Sequence, residues 1–458
     1  MNDKVSKRSK HPTERNMKKL FVSAGLVAIG ATAIKPAMAD DVTSPKYWSV
    51  GATLRGFYDD NYDIAAAGKG SFGLELSPTI SFHEPLQQTD FGIRYTYGLY
   101  YYQDRNDLGV NPFDQSHQVD LWLDHAFNER WHANLTDTFA IGQEPELLNP
   151  NPVAPIATPY RIDGDNLSNH GSIALNTDWT RLFSTTLTYD NSYYDYDQSG
   201  ASVIGGLLLL PDGITPGPSL AGTLDRDEQD ISLNLLWHVL PETTLYVGYQ
   251  FAWVDYTGNE PIAIVPIVTP TFNGVYHSGD RDSMSHYGYV GIEQQFTPNL
   301  TANVRAGATY TDVYADPLFP TTSWSPYADI SLTYTYIPGS YVQFGFTHDV
   351  SATDQVAPNS SGQLAQYAND SVIYVDINHR ITQKLVATII GRVQYSTFQG
   401  GIAGSDDETD YSVGVNLSYE INQHLSVDAG YNYDDVETQI PGYQYNRNRV
   451  YLGLTANY

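Results

Sequence analysis

The chain has 458 residues with 52 Asp/Glu against 24 Lys/Arg, no cysteine, 36 tyrosines and 37 glycines, and its formal charge is −28. That balance excludes nucleic acid as a partner, because a polyanion binds through released counterions and basic contacts. The missing cysteines exclude a disulfide framework and any thiolate metal centre.

The first element is a leader. Lys18 and Lys19 follow Met17, an apolar stretch runs from Leu20 to Ile34, and Ala37-Met38-Ala39 precedes Asp40. This is the pattern of a secretory signal peptide over 1–39, with cleavage expected after Ala39. Fifteen apolar residues are too few for a spanning helix. Residues 1–16 are either an extension of the leader or lie upstream of a true start at Met17. Eight of the 24 basic and two of the 52 acidic residues fall in positions 1–39, so 40–458 carries 16 and 50, a charge near −34.

From position 47 onward the pattern has a period of two. Phe91, Ile93, Tyr95, Tyr97, Leu99 and Tyr101 alternate with Gly92, Arg94, Thr96, Gly98 and Tyr100. Ile231, Leu233, Leu235, Trp237 and Val239 do so further along, then Tyr411 to Ile421, Leu425 to Tyr433, and Val450 to Tyr458. Period two is the signature of a strand. Eighteen strands are expected, starting near 47, 70, 90, 116, 131, 169, 182, 228, 243, 285, 299, 326, 340, 371, 384, 410, 424 and 447. Short turns such as 127–131, 179–183, 240–245, 337–341 and 421–425 read as hairpins. They alternate with long polar connections at 103–115, 142–167, 195–226, 258–281, 313–325, 352–369, 398–409 and 435–446.

The expected fold is all-β: a closed antiparallel transmembrane β-barrel of about 18 strands, forming one domain over 40–458. Its turns are short on the periplasmic side and its loops long outside. A sheet can cross lipid only when closed. The mean hydropathy of −0.34 agrees with this, since lipid-facing and water-facing residues average out along each strand. Trp131, Trp179, Trp237, Tyr334, Tyr336 and Tyr419 sit on the apolar face near the turns, where an interfacial girdle belongs. In "ANLTDTFAI" Asp137 shares the apolar face. Either a bulge shifts the register there or the residue meets a neighbouring subunit.

With the apolar face on lipid, the alternate face lines a lumen. The pore-lining residues are then Arg55, Glu75, Arg94, Asp120, Asp124, Asp178, Asp190, Glu293, Arg305, Asp329, Asp376, Arg392, Glu420 and Asp428. Expected neighbours are Arg55 with Glu75 and Arg94, Glu293 with Arg305, and Arg392 with Glu420. The excess of acid favours cations. Inward aromatics such as Trp122, Tyr246 and Tyr287 either stack on a sugar or pack against loops.

Three connections, 142–161, 201–221 and 258–275, are apolar and proline-rich, which is unusual for loops in water. They are expected to pack together over or into the mouth and narrow it. The acidic clusters 225–230, 279–282 and 405–410 read as a solvated rim, able to take divalent cations that bridge lipopolysaccharide. No Gly-x-Ser-x-Gly and no His-Glu-x-x-His is present, so neither enzymatic activity nor a metal or cofactor is expected. The first strand starts within ten residues of the expected cleavage site, too close for the plug domain of an energised transporter.

The alternation, the turn repeat and the final Tyr458 together resemble Gram-negative outer-membrane β-barrel porins, of the kind grouped as putative β-barrel porin 2. The resemblance implies residence in the cell outer membrane, with lipid and lipopolysaccharide around the wall. Tyr458 would be the insertion signal read by the barrel-assembly machinery. The implied function is passive diffusion of small hydrophilic solutes or ions, cation-preferring, with a homo-oligomer possible. The alternative is a structural or adhesion barrel acting through its outer loops.

Overall fold

The computed structural model describes residues 47–142, 166–439 and 444–458. The expected leader, most of the connection 142–161 and residues 440–443 lie outside them. Seven long strands open the chain: β1 (Trp48–Asp59), β2 (Ser71–Pro85), β3 (Thr89–Tyr102), β4 (Phe113–Asn128), β5 (Trp131–Gly142), β6 (Asn166–Asp178) and β7 (Phe183–Tyr196). A small hairpin, β8 (Ser202–Ile204) and β9 (Leu207–Leu209), precedes β10 (Arg226–Leu240) and β11 (Thr243–Tyr256). A second, β12 (Pro261–Ile264) and β13 (Val275–His277), precedes β14 (Ser283–Thr297). Then follow β15 (Leu300–Val313), β16 (Thr321–Ile337), β17 (Ser340–Ser351), β18 (Ala365–Arg380), β19 (Leu385–Gly400), β20 (Asp407–Asn422), β21 (Leu425–Thr438) and β22 (Tyr445–Asn457). Two five-residue helices, α1 (Gln103–Asp107) and α2 (Leu220–Leu224), sit in connections on the outer side.

Eighteen strands form one antiparallel sheet; the two small hairpins stand apart from it. Each long strand pairs with the next, and β1 pairs with β22 from Gly51↔Asn457 to Asp59↔Arg449. The sheet is therefore a barrel with no free edge, the form in which a sheet can satisfy its backbone in lipid. Val50 and Tyr458 exchange both backbone hydrogen bonds, at 3.0 and 2.8 Å, beyond the last ladder pair.

All eighteen expected strands are present. The periplasmic turns fall where the sequence places them, with Gly339 supplying the positive φ of 78° in the turn between β16 and β17. The outer ends run longer than expected: β16 begins at Thr321 and β18 at Ala365. Above the belt no lipid requires an apolar alternate residue, so hydrogen bonding continues after the hydropathy pattern has stopped.

The wall is inside out relative to a soluble protein. Leu54, Leu233, Val247, Val290, Ile373 and Leu452 are all exposed, while Thr188, Asn234, Thr309 and Gln394 are at most 1 % exposed on the other face. Girdles flank the apolar belt. Below, Trp131 and Trp179 meet edge to face at 5.7 Å, and Tyr336 bonds His379 at 2.6 Å. Above, Tyr95 bonds His117 and Tyr249 bonds His286, each at 2.8 Å. Each pair presents an apolar ring to lipid and a polar rim to headgroups.

Candidate functional site

The fourteen charged residues expected to line the pore all share the parity of the face opposite the apolar belt. Their surroundings differ. Arg94, Asp124, Asp178 and Glu420 are exposed. Glu75, Asp190, Asp376, Arg392 and Asp428 are under a tenth exposed and belong to the wall.

Of the four expected pairings one holds. Arg55 bridges Glu75 at 3.2 Å and Asp428 at 2.8 Å, so β2, β1 and β21 share one ionic cluster. Arg94 is not part of it. It lies opposite Ser81 and Asp120, with its guanidinium 5.9 Å from the Trp122 ring. Glu293 faces Asn303, two residues from the position opposite Arg305, and Arg305 reaches Asp329 at 3.7 Å instead. Arg392 stands opposite Ser412 and Tyr374, bonds Gln394, and feels the charges of Asp410 and Asp370 rather than Glu420. Strand stagger decides which inward residues meet, and alternation alone carries no information about stagger.

Two further arginines, Arg447 and Arg449 on β22, point inward. Arg447 meets Asp59 at 3.1 Å, and Arg449 covers the Phe57 ring at 4.2 Å and reaches Glu75 at 3.9 Å. Their strand opens Tyr-Asn-Arg-Asn-Arg. The alternate residues are asparagines, so nothing in the hydropathy marks which face is which.

A second group missed by sequence reasoning lies toward the outer end of the lumen. Asp349 on β17 accepts a hydrogen bond from Tyr287 of β14 and feels the charges of Asp230 on β10 and Asp370 on β18. Glu408 on β20 feels Asp410, Asp370 and Asp354. Acids from strands far apart around the circumference thus converge just below the mouth.

Tyrosine and glycine explain each other on this face. Tyr289 of β14 lies over Gly248, its cross-strand partner on β11, and donates to Asn234 of β10 at 2.9 Å. A Cβ on Gly248 would overlap the ring. Tyr246 of β11 covers Gly291 of β14 in the same way and donates to Asn303 of β15. Tyr451 of β22 covers Gly430 of β21 and donates to Asn416 of β20 at 3.3 Å. An aromatic ring laid on a cross-strand glycine fills the gap that glycine leaves in the wall. Tyr246, Tyr287, Tyr289 and Tyr327 form one buried cluster here. Of the inward aromatics singled out above, Tyr246 and Tyr287 pack into this wall, and Trp122 covers Gly92.

The mouth is partly roofed by folded loops. Ile262, Ala263, Val265, Phe272 and Tyr276 from the connection 257–282 bury themselves with Val356 and Leu364 from 352–364. Tyr276 donates to Asp316 at 3.3 Å, and Gln366 donates to the same carboxylate at 3.0 Å. Arg281 is 1 % exposed; it donates to the Thr223 carbonyl at 3.0 Å, to the Thr353 carbonyl, and lies over the Tyr256 ring at 4.2 Å. One guanidinium ties three connections together.

Two expectations are corrected at the mouth. Of the apolar loops, 258–275 packs as described, but the tip of 201–221 does not: Val203, Ile204 and Leu207 are exposed and Ile214 is 81 % exposed. Only its end is buried, at Ser219 and in α2. The acidic clusters 225–230 and 279–282 are not a solvated rim. Each is built round a buried arginine, Arg226 at 3 % and Arg281 at 1 % exposure, and Arg226 pairs with Glu228 at 2.5 Å. Burial pushes the Asp225 carboxyl up to about 7 although it accepts from the Tyr196 amide at 2.8 Å. It pushes Asp282 and Asp354 up to about 6, against the nearby Arg281. Desolvation disfavours the carboxylate more than one guanidinium restores it.

These features define a barrel that crosses a bilayer, with a polar bore and a partly roofed outer opening. The sequence matches the family described as putative beta-barrel porin 2 over residues 50–458, and the chain belongs to that family. It is an outer-membrane protein of porin type. No curated protein matches it. Among solved structures it is similar to Pseudomonas aeruginosa OccK9 (OpdG), at 10 % identity and a TM-score of 0.42, covering 90 % of this chain and 98 % of that one. It is similar to P. aeruginosa OpdK with vanillate, at 9 % identity and 0.41, covering 90 % and 99 %. Acinetobacter baumannii OccAB3 stands at 10 % and 0.41, with the same coverage.

Proposed function

We propose that the protein is a passive diffusion channel for small hydrophilic solutes or ions, with a preference for cations. The observation that carries this reading is the set of inward carboxylates that form no ion pair among the described residues, Asp120, Asp124, Asp178, Glu293 and Glu420. Like charges held together in a confined polar space draw in counter-ions and repel anions. Asp230, Asp349, Asp370, Glu408 and Asp410 add further acidic groups beneath the mouth. The mechanism is bulk electrostatics and width, with no chemical step. The lining role of the fourteen charged positions, the surrounding lipopolysaccharide and the role of Tyr458 in assembly belong to the same reading.

The test is reversal potential across a planar bilayer holding the purified protein in a potassium chloride gradient. A potential toward the potassium equilibrium value supports the reading. A potential toward the chloride value overturns the cation preference, and absence of conductance moves the function to the folded outer loops, as a structural or adhesion barrel.

A further inference from the structure

We infer that β2, β3 and β4 carry a subsite in the lower half of the bore for one ring of a neutral sugar, a hexopyranose or pyranoside. The inference rests on the channel reading above and names a solute class for it.

The geometry is a floor with a polar rim. Trp122 on β4 lies across Gly92, its partner on β3, and its Nε1 donates to Asp90 on β3 at 3.3 Å. His83 on β2, the other partner of Gly92, donates from Nε2 to the same Asp90 oxygen at 2.8 Å. The indole is thus held in place over the middle strand. Tyr246 and Tyr289, the rings that cover Gly291 and Gly248, are at most 5 % exposed. Trp122 is only half-buried. One side of its ring fills the glycine gap and the other is left to the bore. It lies six residues from the periplasmic end of β4, at the opposite end of the bore from the roof loops.

Asp120 and Asp124 stand two residues above and below Trp122 on the same face. Arg94 stands two residues above Gly92, directly opposite Asp120. Same-face neighbours are about 6.8 Å apart along a strand and about 4.8 Å across it, so these groups border one six-membered ring laid on the indole.

The rim groups have bonding capacity to spare. Arg94 is exposed, and among the described residues it makes no hydrogen bond or ion pair, only the 5.9 Å approach to the Trp122 ring. Gln118 at 2.9 Å and Thr138 at 3.2 Å both donate to Oδ1 of Asp120, leaving Oδ2 open among the described residues. Asp124 accepts from Asn134 through Oδ1 alone. Asn134 accepts from Asn176 at 2.9 Å, and Asn176 from Thr186 at 2.8 Å, so a relay from β7 fixes that carboxylate.

This set selects its occupant. A metal or ammonium ion cannot serve Arg94, which only donates, and a simple anion cannot serve two carboxylates, which only accept. A quaternary ammonium on the indole would meet the guanidinium already beside it. A hydroxyl donates and accepts at once. A sugar ring carries several hydroxyls round its edge, and its C–H face suits the electron-rich face of an indole.

The test uses the purified full barrel in a planar bilayer, with open-channel current recorded first in potassium chloride. Glucose, galactose, mannose, maltose, lactose and cellobiose are then added in turn. The expected result is a concentration-dependent block by at least one of them. Trp122→Ala should raise the half-blocking concentration about tenfold, the scale of one lost stacking contact. Trp122→Phe should recover part of this, and Arg94→Gln should raise it as well. Trp324→Ala, on a lipid-facing ring 74 % exposed, should leave it at the wild-type value. Folding of each variant is confirmed by the faster gel mobility of the unheated barrel, and if the Ala variant does not fold, Trp122→Phe and Arg94→Gln decide. Calorimetry of the same sugars into the barrel in detergent reads binding without conduction. Missing open-channel current defeats the channel reading, and calorimetry then decides the subsite alone. Absence of both block and binding heat for every sugar overturns the inference. So does a block that the Trp122 and Arg94 variants leave unchanged, or a block by glycine betaine or lysine with none by any sugar.

Discussion

Arg55 Nε donates to Asp428 Oδ2 at 2.8 Å, joining residues 373 positions apart in the chain across the strands that close the barrel. Asp428 and Glu75 are almost fully buried, and Arg55 is the cation that both share. Removing it as Arg55→Ala leaves Asp428 without its counter-charge and Glu75 with only the longer contact to Arg449 at 3.9 Å. The side chain of Arg55 is about a third exposed, so the loss should sit below that of a fully buried pair, at about 2 kcal/mol. A lower urea midpoint in the gel-mobility assay is the readout, and Arg55→Lys should recover part of it.

Arg281→Met should loosen the roof without weakening the wall. The guanidinium's two carbonyl contacts, each worth about 1.5–3 kcal/mol for a charged donor, are lost together. Hydrogen exchange should rise in 197–225, 257–282 and 352–364 in step, while β1 to β6 stay protected. Exchange confined to the first of these segments would show that the loops are not coupled.

The roof should also respond to pH. Asp225, Asp282 and Asp354 have folded-state values raised to about 7, 6 and 6, above the ordinary carboxyl value near 4. A raised folded value means that the packed roof binds a proton more tightly than the opened one. The stabilisation is therefore complete below about pH 4 and fades as pH rises through 6 to 7. Slower exchange of the roof segments at pH 5 than at pH 8, after correction for intrinsic rates, is the expected outcome. Asp225→Asn should flatten most of the difference.

Neutralising the convergent acids should reduce discrimination between ions. Asp230→Asn with Asp349→Asn removes up to two charges from the acidic group beneath the mouth while keeping side-chain size. The reversal potential should move toward zero, with the melting behaviour unchanged or improved because like-charge crowding is relieved.

Gly248→Ala tests the lining of the bore. The new methyl would occupy the position of the Tyr289 ring, which must stand up into the lumen and give up Asn234. Single-channel conductance should fall. Gly288→Ala, on the lipid face with open space around it, should leave conductance as it is.

The strands were legible because the bilayer imposes a strict rule on them: one face of each strand must be greasy for the full depth of the belt. Asp137 stood out for the same reason. What could not be read was set by relations between strands. Arg392 and Glu420 share a face but not a height, and Arg305 finds Asp329 because the register of β15 against β16 sets them directly opposite. Arg281 looked like one charge in an acidic run, since its partners are the carbonyls of Thr223 and Thr353, and a carbonyl leaves no trace in residue type.

The tyrosines that lie on glycines have a mechanical effect. Tyr289, Tyr246 and Tyr451 each begin on one strand, rest on the next and fasten to an asparagine on the third. Struts of that kind resist shear between neighbours and hold the circumference round, like hoops on a cask. Flow would then be regulated by whatever stirs at the rim, because the girth itself has little freedom to breathe.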